Sequence, residues 1–421
     1  MKINPIHIFL CFFLLQAGCY GQTFKVGVAM RNITPDPLIS VSGGLDAPLP
    51  TTQKLGELTV RAMVMEKGKV RIAMVSIDNL GWPAGLGDIS RSSIKGIPPE
   101  NILLSSTHTH SAPDAYAYPD EKGHIRADTI YLKWAATQIA DAVNEAKKNL
   151  VTANLRIAVG KAADGIAYNY YAPKLYDPRC GVIQALNTNN EVIATLVNFA
   201  IHPEIIGNEQ GILSPDLCGP LYTRIEERTG GMAFFFNGAL GGMITADNRR
   251  ADGKKSTDWK ECERIGHLLA DEALRIVNEG EIQRDPVLLC THKTLQFPID
   301  SPSKASLLSN APYSRKFIDN GHISSRINLL EIGSAKILTV PGEALPNIGF
   351  YLKRKMKTEH AFLFGLTNDA FGYMMTKVDF MSFARYNYIS EVNLGEMTGE
   401  IYIEGALELI DAGTPQEIKT E

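Results

Sequence analysis

A layered α/β fold, with mixed β-sheets flanked by helices, is the class this sequence predicts. Three observations lead there. Strand-like and helix-like segments interleave along the whole chain, the pattern of packed layers and not of separate all-α or all-β units. Several apolar runs have the length and composition of buried strands, and each stops abruptly at polar, chemistry-bearing residues. No long linker, low-complexity tract or tandem repeat interrupts the order, so residues 22–421 read as one large domain behind an N-terminal export segment at 1–21.

That leading segment, MKINPIHIFLCFFLLQAGCYGQ, has Lys2, an apolar core over 8–15 and then small residues. It is a secretory signal peptide, too short to span a bilayer, with cleavage expected near Gly21. Cys19 offers a lipid-anchored N-terminus as the alternative, although Gln16 stands where a lipobox prefers an aliphatic residue. The protein is therefore expected to be secreted or periplasmic.

After it, 24–30 (FKVGVAM) alternates as a strand, and 32–37 (NITPDP) is turn chemistry. Segments 58–66 and 70–77 are strands joined at Lys67-Gly68. The second ends at Asp78-Asn79, where a carboxylate either caps a helix or serves a site. Segment 129–150 is an amphipathic helix with Ile130, Trp134, Ile139, Val143 and Ala146 at helical spacing. Strands at 155–159 and 181–186 surround a loop carrying Tyr168, Tyr170, Tyr171 and Tyr176, either an aromatic wall or surface packing. The strand 192–201 runs into His202-Pro203-Glu204. Ser214-Pro215-Asp216 precedes a helix at 220–228, with Asp216 as its N-cap. The strand 232–236 (MAFFF) ends in Asn237 and the glycines 238, 241 and 242, which form a pocket edge or a tight turn. Trp259–Asn278 is a second amphipathic helix. Strands at 286–297, 326–332, 335–340 and 360–366 and a helix at 403–410 complete the chain.

Composition narrows the function. The 421 residues are 45% apolar, ample for a large core, and the formal net charge of −4 gives no footprint for nucleic acid. Of six cysteines, two lie in the signal peptide; Cys180, Cys218, Cys262 and Cys290 lack CxxC spacing, which argues against a cysteine zinc site.

The chemistry concentrates in 101–114 (NILLSSTHTHSAPD). Residues i and i+2 of an extended segment share a face, so His108 and His110 look into one space. Two imidazoles at a strand end either bind a metal together or divide the work, one binding and one moving a proton. His202 and Glu343, the latter in Pro341-Gly342-Glu343, end two further strands. Two histidines and a carboxylate from separate strands match a catalytic zinc set with a position left for water.

Taken together, Ser106–Pro113 in the run STHTHSAP, NFAIHPE at 198–204, SPD at 214–216, PGE at 341–343 and Gly372-Tyr373 resemble, in order, the catalytic domain of the neutral/alkaline ceramidase family. Arg61-Ala62 and the segment 395–399 fit less specifically. The resemblance spans nearly the whole mature chain and implies that family's α/β catalytic fold. It implies Zn²⁺ on His108, His202, Glu343 and Tyr373. His110 would be the general acid/base, with Tyr386 a substrate-side hydroxyl for the oxyanion and Tyr388 close enough to compete; Asn237 stands as a further catalytic candidate. The expected activity is hydrolysis of an amide bond in an N-acylated, ceramide-like substrate by zinc-activated water. A lipid substrate would bring peripheral membrane contact; the oligomeric state is open.

Three departures concern the substrate. The family's Asn–Arg pair falls on Asn169-Tyr170, and Arg179 is no obvious replacement. Its Gly-Asp-x-Ser-Pro stretch falls on 241–245 (GGMIT), with Thr245 near the serine. Its C-terminal immunoglobulin-like domain has no counterpart before Glu421. These departures leave open a hydrolase of the same fold acting on another ester or N-acyl group, for example one linked to a glycan, and a non-catalytic binding protein that keeps the fold.

Overall fold

The computed structural model describes residues 22–44 and 46–412. The expected signal peptide and the Cys19 anchor lie outside them. Among the described residues no helix is long and apolar enough to cross a membrane.

The larger sheet has nine strands: β1 (Phe24–Asn32), β2 (Thr59–Lys67), β3 (Val70–Ile77), β4 (Ile102–Ser106), β5 (Val151–Lys161), β6 (Arg179–Asn187), β7 (Val192–Phe199), β8 (Met232–Asn237) and β9 (Ile282–Gln283). Their order is β8-β7-β6-β5-β1-β2-β3-β4, with β9 beside β5. The β3–β4 and β7–β8 pairs are parallel and the rest antiparallel. The second sheet has five strands: β10 (Leu288–Pro298), β11 (Ile318–Asp319), β12 (His322–Ile332), β13 (Ala335–Thr339) and β14 (His360–Phe364), in the order β10-β12-β13-β14 with β11 beside β12.

The period of two along each strand sorts side chains into layers. Met63 and Met65 of β2, Met74 of β3, Leu103 of β4 and Phe234 and Phe236 of β8 face the second sheet, where they meet Ile332, Ile337, Phe362 and Phe364. Phe236 stacks on Phe364 at 4.4 Å between ring centroids. The alternate residues, Val64, Val75 and Leu104, face helices α1 (Ala84–Ser92) and α2 (Thr129–Lys148), and Phe235 faces α3 (Cys218–Thr229) and α4 (Trp259–Asn278). On the far side of the second sheet lie α5 (Pro302–Asn310), α6 (Pro346–Lys355) and, beyond the short α7 (Asn387–Glu391), α8 (Thr398–Ala412). The result is four layers, helix–sheet–sheet–helix, which makes specific the layered α/β class that the sequence predicts.

Helix α2 differs from expectation in its buried face. Ile130 is 82% exposed, and the contact with the sheet is made by Ala135, Ala136, Ile139, Ala142, Val143 and Ala146. Alanines permit close approach: a Cβ at Gly27 of β1 would sit 2.1 Å from the Ala146 carbonyl oxygen. Asp128 caps the helix through Ile130 and Tyr131 N–H, which leaves Ile130 on the outer side of the first turn. The four cysteines are free thiols, three of them buried.

The larger sheet curls until its two edges meet. Ser76 Oγ on β3 donates to the Phe235 carbonyl of β8 at 2.7 Å. The stretch following β14 is laid between the edges: Gly365 N donates to Asn237 O at 3.0 Å, and Ser106 N donates to Leu366 O at 3.1 Å. The ends of β4, β7, β8 and β14 are thereby collected in one place.

Candidate metal-dependent active site

His108 and His110 do share one space, with ring centroids 4.8 Å apart, but not by strand alternation. Strand β4 stops at Ser106, and His108 takes a left-handed backbone with φ of 72°. Its N–H donates to Asn79 O at 2.9 Å, and His110 N–H to Pro203 O at 3.0 Å. A non-glycine residue at positive φ persists where its surroundings hold it, here through backbone hydrogen bonds to two other loops. Thr109 and Ser111 point away and tie down further loops, Thr109 Oγ1 on Ser214 O and Ser111 Oγ on Gly207 O, each at 2.8 Å.

His202 follows β7 and pairs with Thr245, and its ring lies 4.9 Å from that of His108 and 5.7 Å from that of His110. Both deeper histidines are anchored alike. His108 Nδ1 lies 2.5 Å from Leu80 O, and His202 Nδ1 lies 2.7 Å from Ile244 O. A carbonyl only accepts, so Nδ1 carries a proton in both rings and Nε2 turns inward, as a lone pair on neutral His108 and as a donor to Glu343 on protonated His202. Both Nε2 atoms converge on Glu343, at 3.6 Å for His108 and 3.1 Å for His202. Glu343 opens the two-residue strand Glu343–Ala344, paired in parallel with Tyr373–Met374. The predicted role of the glycines as close-approach points holds at Gly241, where a Cβ would meet the Glu343 carbonyl oxygen at 2.2 Å.

Electrostatics separate the three histidines. Burial drives the His108 imidazole down to about 3 against the pull of Glu343, and burial with the His202 charge does the same to His110. Burial also opposes charge on His202, but its hydrogen bond to Glu343 and the nearby Glu204 lift it to about 9. Burial alone would raise the Glu343 carboxyl; His108 and His202 hold it below its ordinary value. His110 Nε2 is buried without any hydrogen-bond partner, and its Nδ1 lies 3.9 Å from Glu204 Oε2.

The ligand atoms of His108, His110 and His202 all fall within 4.8 Å of one another, a spacing able to hold a metal ion. The donor set, two anchored imidazoles with a carboxylate between them, suits zinc. Tyr373 stands beside Glu343 in register, but its hydroxyl donates to Met243 Sδ at 3.1 Å.

The remaining predicted residues divide. The Asn237 amide is spent on backbone: Nδ2 donates to Thr107 O and Ile201 O, and Oδ1 accepts from Ile201 N and Gly238 N. The amide thereby ties the loop before His108 to the loop before His202. Tyr386 packs on Tyr171 and Phe383, at 5.5 and 5.3 Å, while Tyr388 lines the cavity above Glu343. Asp216 is not the predicted N-cap: Leu217 takes that position with no side-chain cap, and Asp216, at a left-handed φ of 53°, accepts from Ile206 N and Leu217 N and so pins the loop after His202. Asp78 caps no helix, since the next one starts from Pro83; its carboxylate accepts from Thr59 and Tyr222. Arg179 is held by Asp177 at 2.7 Å. The tyrosine-rich loop divides: Tyr168 lies under Arg249, while Tyr170 and Tyr171 meet at 5.6 Å and Tyr171 continues to Tyr386 as a run of aromatic rings.

Two hollows meet at His110. One, with about 50 Å³ of free space, is lined by His108, Glu343, Tyr116, Phe371 and Tyr388. The other, about 540 Å³, is mixed, with Glu204, Gln210 and Lys255 facing Tyr170, Ile206 and Met243.

Among solved structures, the chain is similar to neutral ceramidase from Pseudomonas aeruginosa, with a TM-score of 0.74 and 16% identity over 93% of this chain and 75% of that one. A ceramidase structure described as complexed with C2 gives a TM-score of 0.76 with the same identity and coverage. The fold is thus that of the neutral ceramidase structures, as expected from the sequence. No protein-family model matches the chain, and no curated protein matches it in sequence.

Proposed function

We propose that this protein is an exported, zinc-dependent amidohydrolase acting on an N-acylated substrate. The convergence of His108 Nε2 and His202 Nε2 on Glu343, beside the partnerless Nε2 of His110, is the observation that carries the reading. His108, His202 and Glu343 would hold the metal, with Tyr373 as fourth ligand once its hydroxyl leaves Met243. Zinc there supplies Lewis-acid chemistry, lowering the pKa of bound water to about 7 and polarising the acyl carbonyl.

The chain's own groups do the rest. Burial keeps His110 neutral and its ring able to accept a proton, and Glu204, 3.9 Å from Nδ1, would draw close to stabilise the imidazolium that results. His110 then returns the proton to the departing amine, so one group serves as base and acid. A tyrosine hydroxyl at the cavity wall, Tyr388 by position and Tyr386 by resemblance, would donate to the oxyanion.

A ceramide-like substrate follows from the resemblance. A second reading, a smaller or glycan-linked N-acyl or ester substrate, is supported by the tight aromatic hollow beside Glu343 and by the Glu204, Asn208, Gln210 and Lys255 groups that line part of the larger one. The test is zinc content by mass spectrometry followed by hydrolysis of a panel of ceramides, acyl esters and N-acetylated sugars. Stoichiometric zinc with amide turnover is expected; zinc without turnover of any panel member would favour a binding protein.

A further inference from the structure

Lys304, near the start of α5, stands in an unusual place for a lysine. It is only 7% exposed and lines the aromatic hollow that also contains His108, Glu343 and Tyr388. Burial lowers its ammonium to about 8, against an attraction from Glu343, so it stays largely protonated at neutral pH. An ammonium has three N–H donors. One is spent on Val392 O at 2.9 Å, and no further hydrogen bond or ion pair holds the group among the described residues. Val392 lines the same hollow.

A buried cation is retained at a large desolvation penalty unless an anion pairs with it. The carboxylate whose charge reaches it, Glu343, is engaged by His108 and His202, and in the proposed enzyme also by zinc. Lys304 therefore has charge and donors left over inside the substrate hollow. A ceramide brings no charge to meet them. From this geometry we infer that the substrate carries an anionic group, of carboxylate class, that binds Lys304 while its amide lies over the histidine–glutamate cluster. The inference rests on the amidohydrolase reading for the position of the amide, and it narrows the substrate to short N-acyl compounds bearing a carboxylate, such as N-acylated amino acids. Charge-assisted pairing also explains why the wall opposite Lys304 can be aromatic: specificity comes from one buried ion pair, and the rings exclude water from it.

The test is calorimetric titration of the zinc-loaded full chain with N-acetylglycine and with its neutral amide, N-acetylglycinamide. The carboxylate is expected to bind at least tenfold more tightly. The preference should fall to within about twofold in Lys304→Met and persist in Lys304→Arg, with thermal melting confirming that each variant is folded. Equal affinities in the wild type overturn the inference whatever the variants do, as does absence of binding by either probe or a preference that survives in folded Lys304→Met. Turnover of the same two compounds separates this inference from the reading beneath it. Hydrolysis without charge preference leaves the amidohydrolase and removes the role of Lys304. Charge-selective binding without hydrolysis of any amide does the reverse.

Discussion

The histidine loops and the tyrosine segment face each other across one cavity, yet they are built differently. His108, His202 and Asn237 are buried, and the loops bearing them are laced by backbone hydrogen bonds to Asn79, Ile244 and Thr107. The segment running from Tyr373 through α7 has few such ties. Val378, Met381, Phe383 and Tyr388 are exposed by half or more, and Tyr386 and Tyr388 rest mainly on other aromatic rings. A metal centre needs ligands held to a fraction of an ångström, whereas a substrate wall tolerates variation, because apolar and aromatic contacts are less directional. On the proposed reading the rigid half holds the histidines and Glu343, while the looser half brings Tyr373 and Tyr388 to them and shapes the substrate wall.

The largest effect expected on this division is at Glu343. Glu343→Ala leaves His202 buried without its counter-charge and removes a ligand, so zinc content should drop below about a tenth per chain and activity fall by about 10³-fold or more. Full zinc retention in that variant would break the assignment of the rigid half. His110→Ala should instead keep its zinc and lose about 10²- to 10⁴-fold in kcat, the range for a general acid/base. Loss of metal together with activity would move His110 into the ligand set.

Asn237→Ala tests whether rigidity is what the amide provides. Buried backbone groups on both loops lose their partner, and denaturant melts should show about 2–3 kcal/mol of destabilisation with weaker zinc binding. Normal stability with reduced kcat would restore Asn237 to a catalytic role.

The pH dependence of metal uptake sharpens the same half. In the metal-free protein His202 holds its proton up to about pH 9 because Glu343 and Glu204 face it. Zinc must displace that proton, so apparent affinity should climb about tenfold per pH unit from 6.5 towards 9 and then level. For the same reason the His202–Glu343 pair stabilises the metal-free fold fully below pH 6.5, and this contribution is lost as pH rises through about 9. An affinity that levels near pH 6.5 would show the pair to be uncoupled.

The smallest effect separates the two tyrosines of the looser half. Tyr388→Phe should lower kcat/KM by about tenfold and Tyr386→Phe by no more than about threefold, since only Tyr388 lines the cavity beside Glu343. The reverse order would mean that the loop closes over substrate and brings Tyr386 inward.

Much of this was legible in the chain itself. Val70–Ile77 and Trp259–Asn278 agree with expectation to the residue, because long periodic apolar patterns leave no competing structure. Helices α1, α5 and α6 were not legible. The first contains Gly85 and Gly87, all three are short, and none begins with both a capping side chain and a strong apolar stripe. His108, His110, His202 and Glu343 could be named because each follows an apolar run, and the family resemblance supplied the ligand set. Lys304 could not, since one lysine in a weak helix carries no local mark of burial.

Sequence by itself determined the main strands, their alternating faces, the layered α/β class and the residue types waiting near the strand ends. Those properties follow from periodicity and side-chain chemistry, which act over a few residues. Tertiary structure alone decided the rest. Strands β4 and β8 are opposite edges of the sheet, and only its curl, closed by residues 365–367, brings His108 to His202 and Glu343. The left-handed turn at His108, the commitment of the Asn237 amide to backbone and the burial of Lys304 depend in the same way on partners far along the chain, which no local pattern encodes.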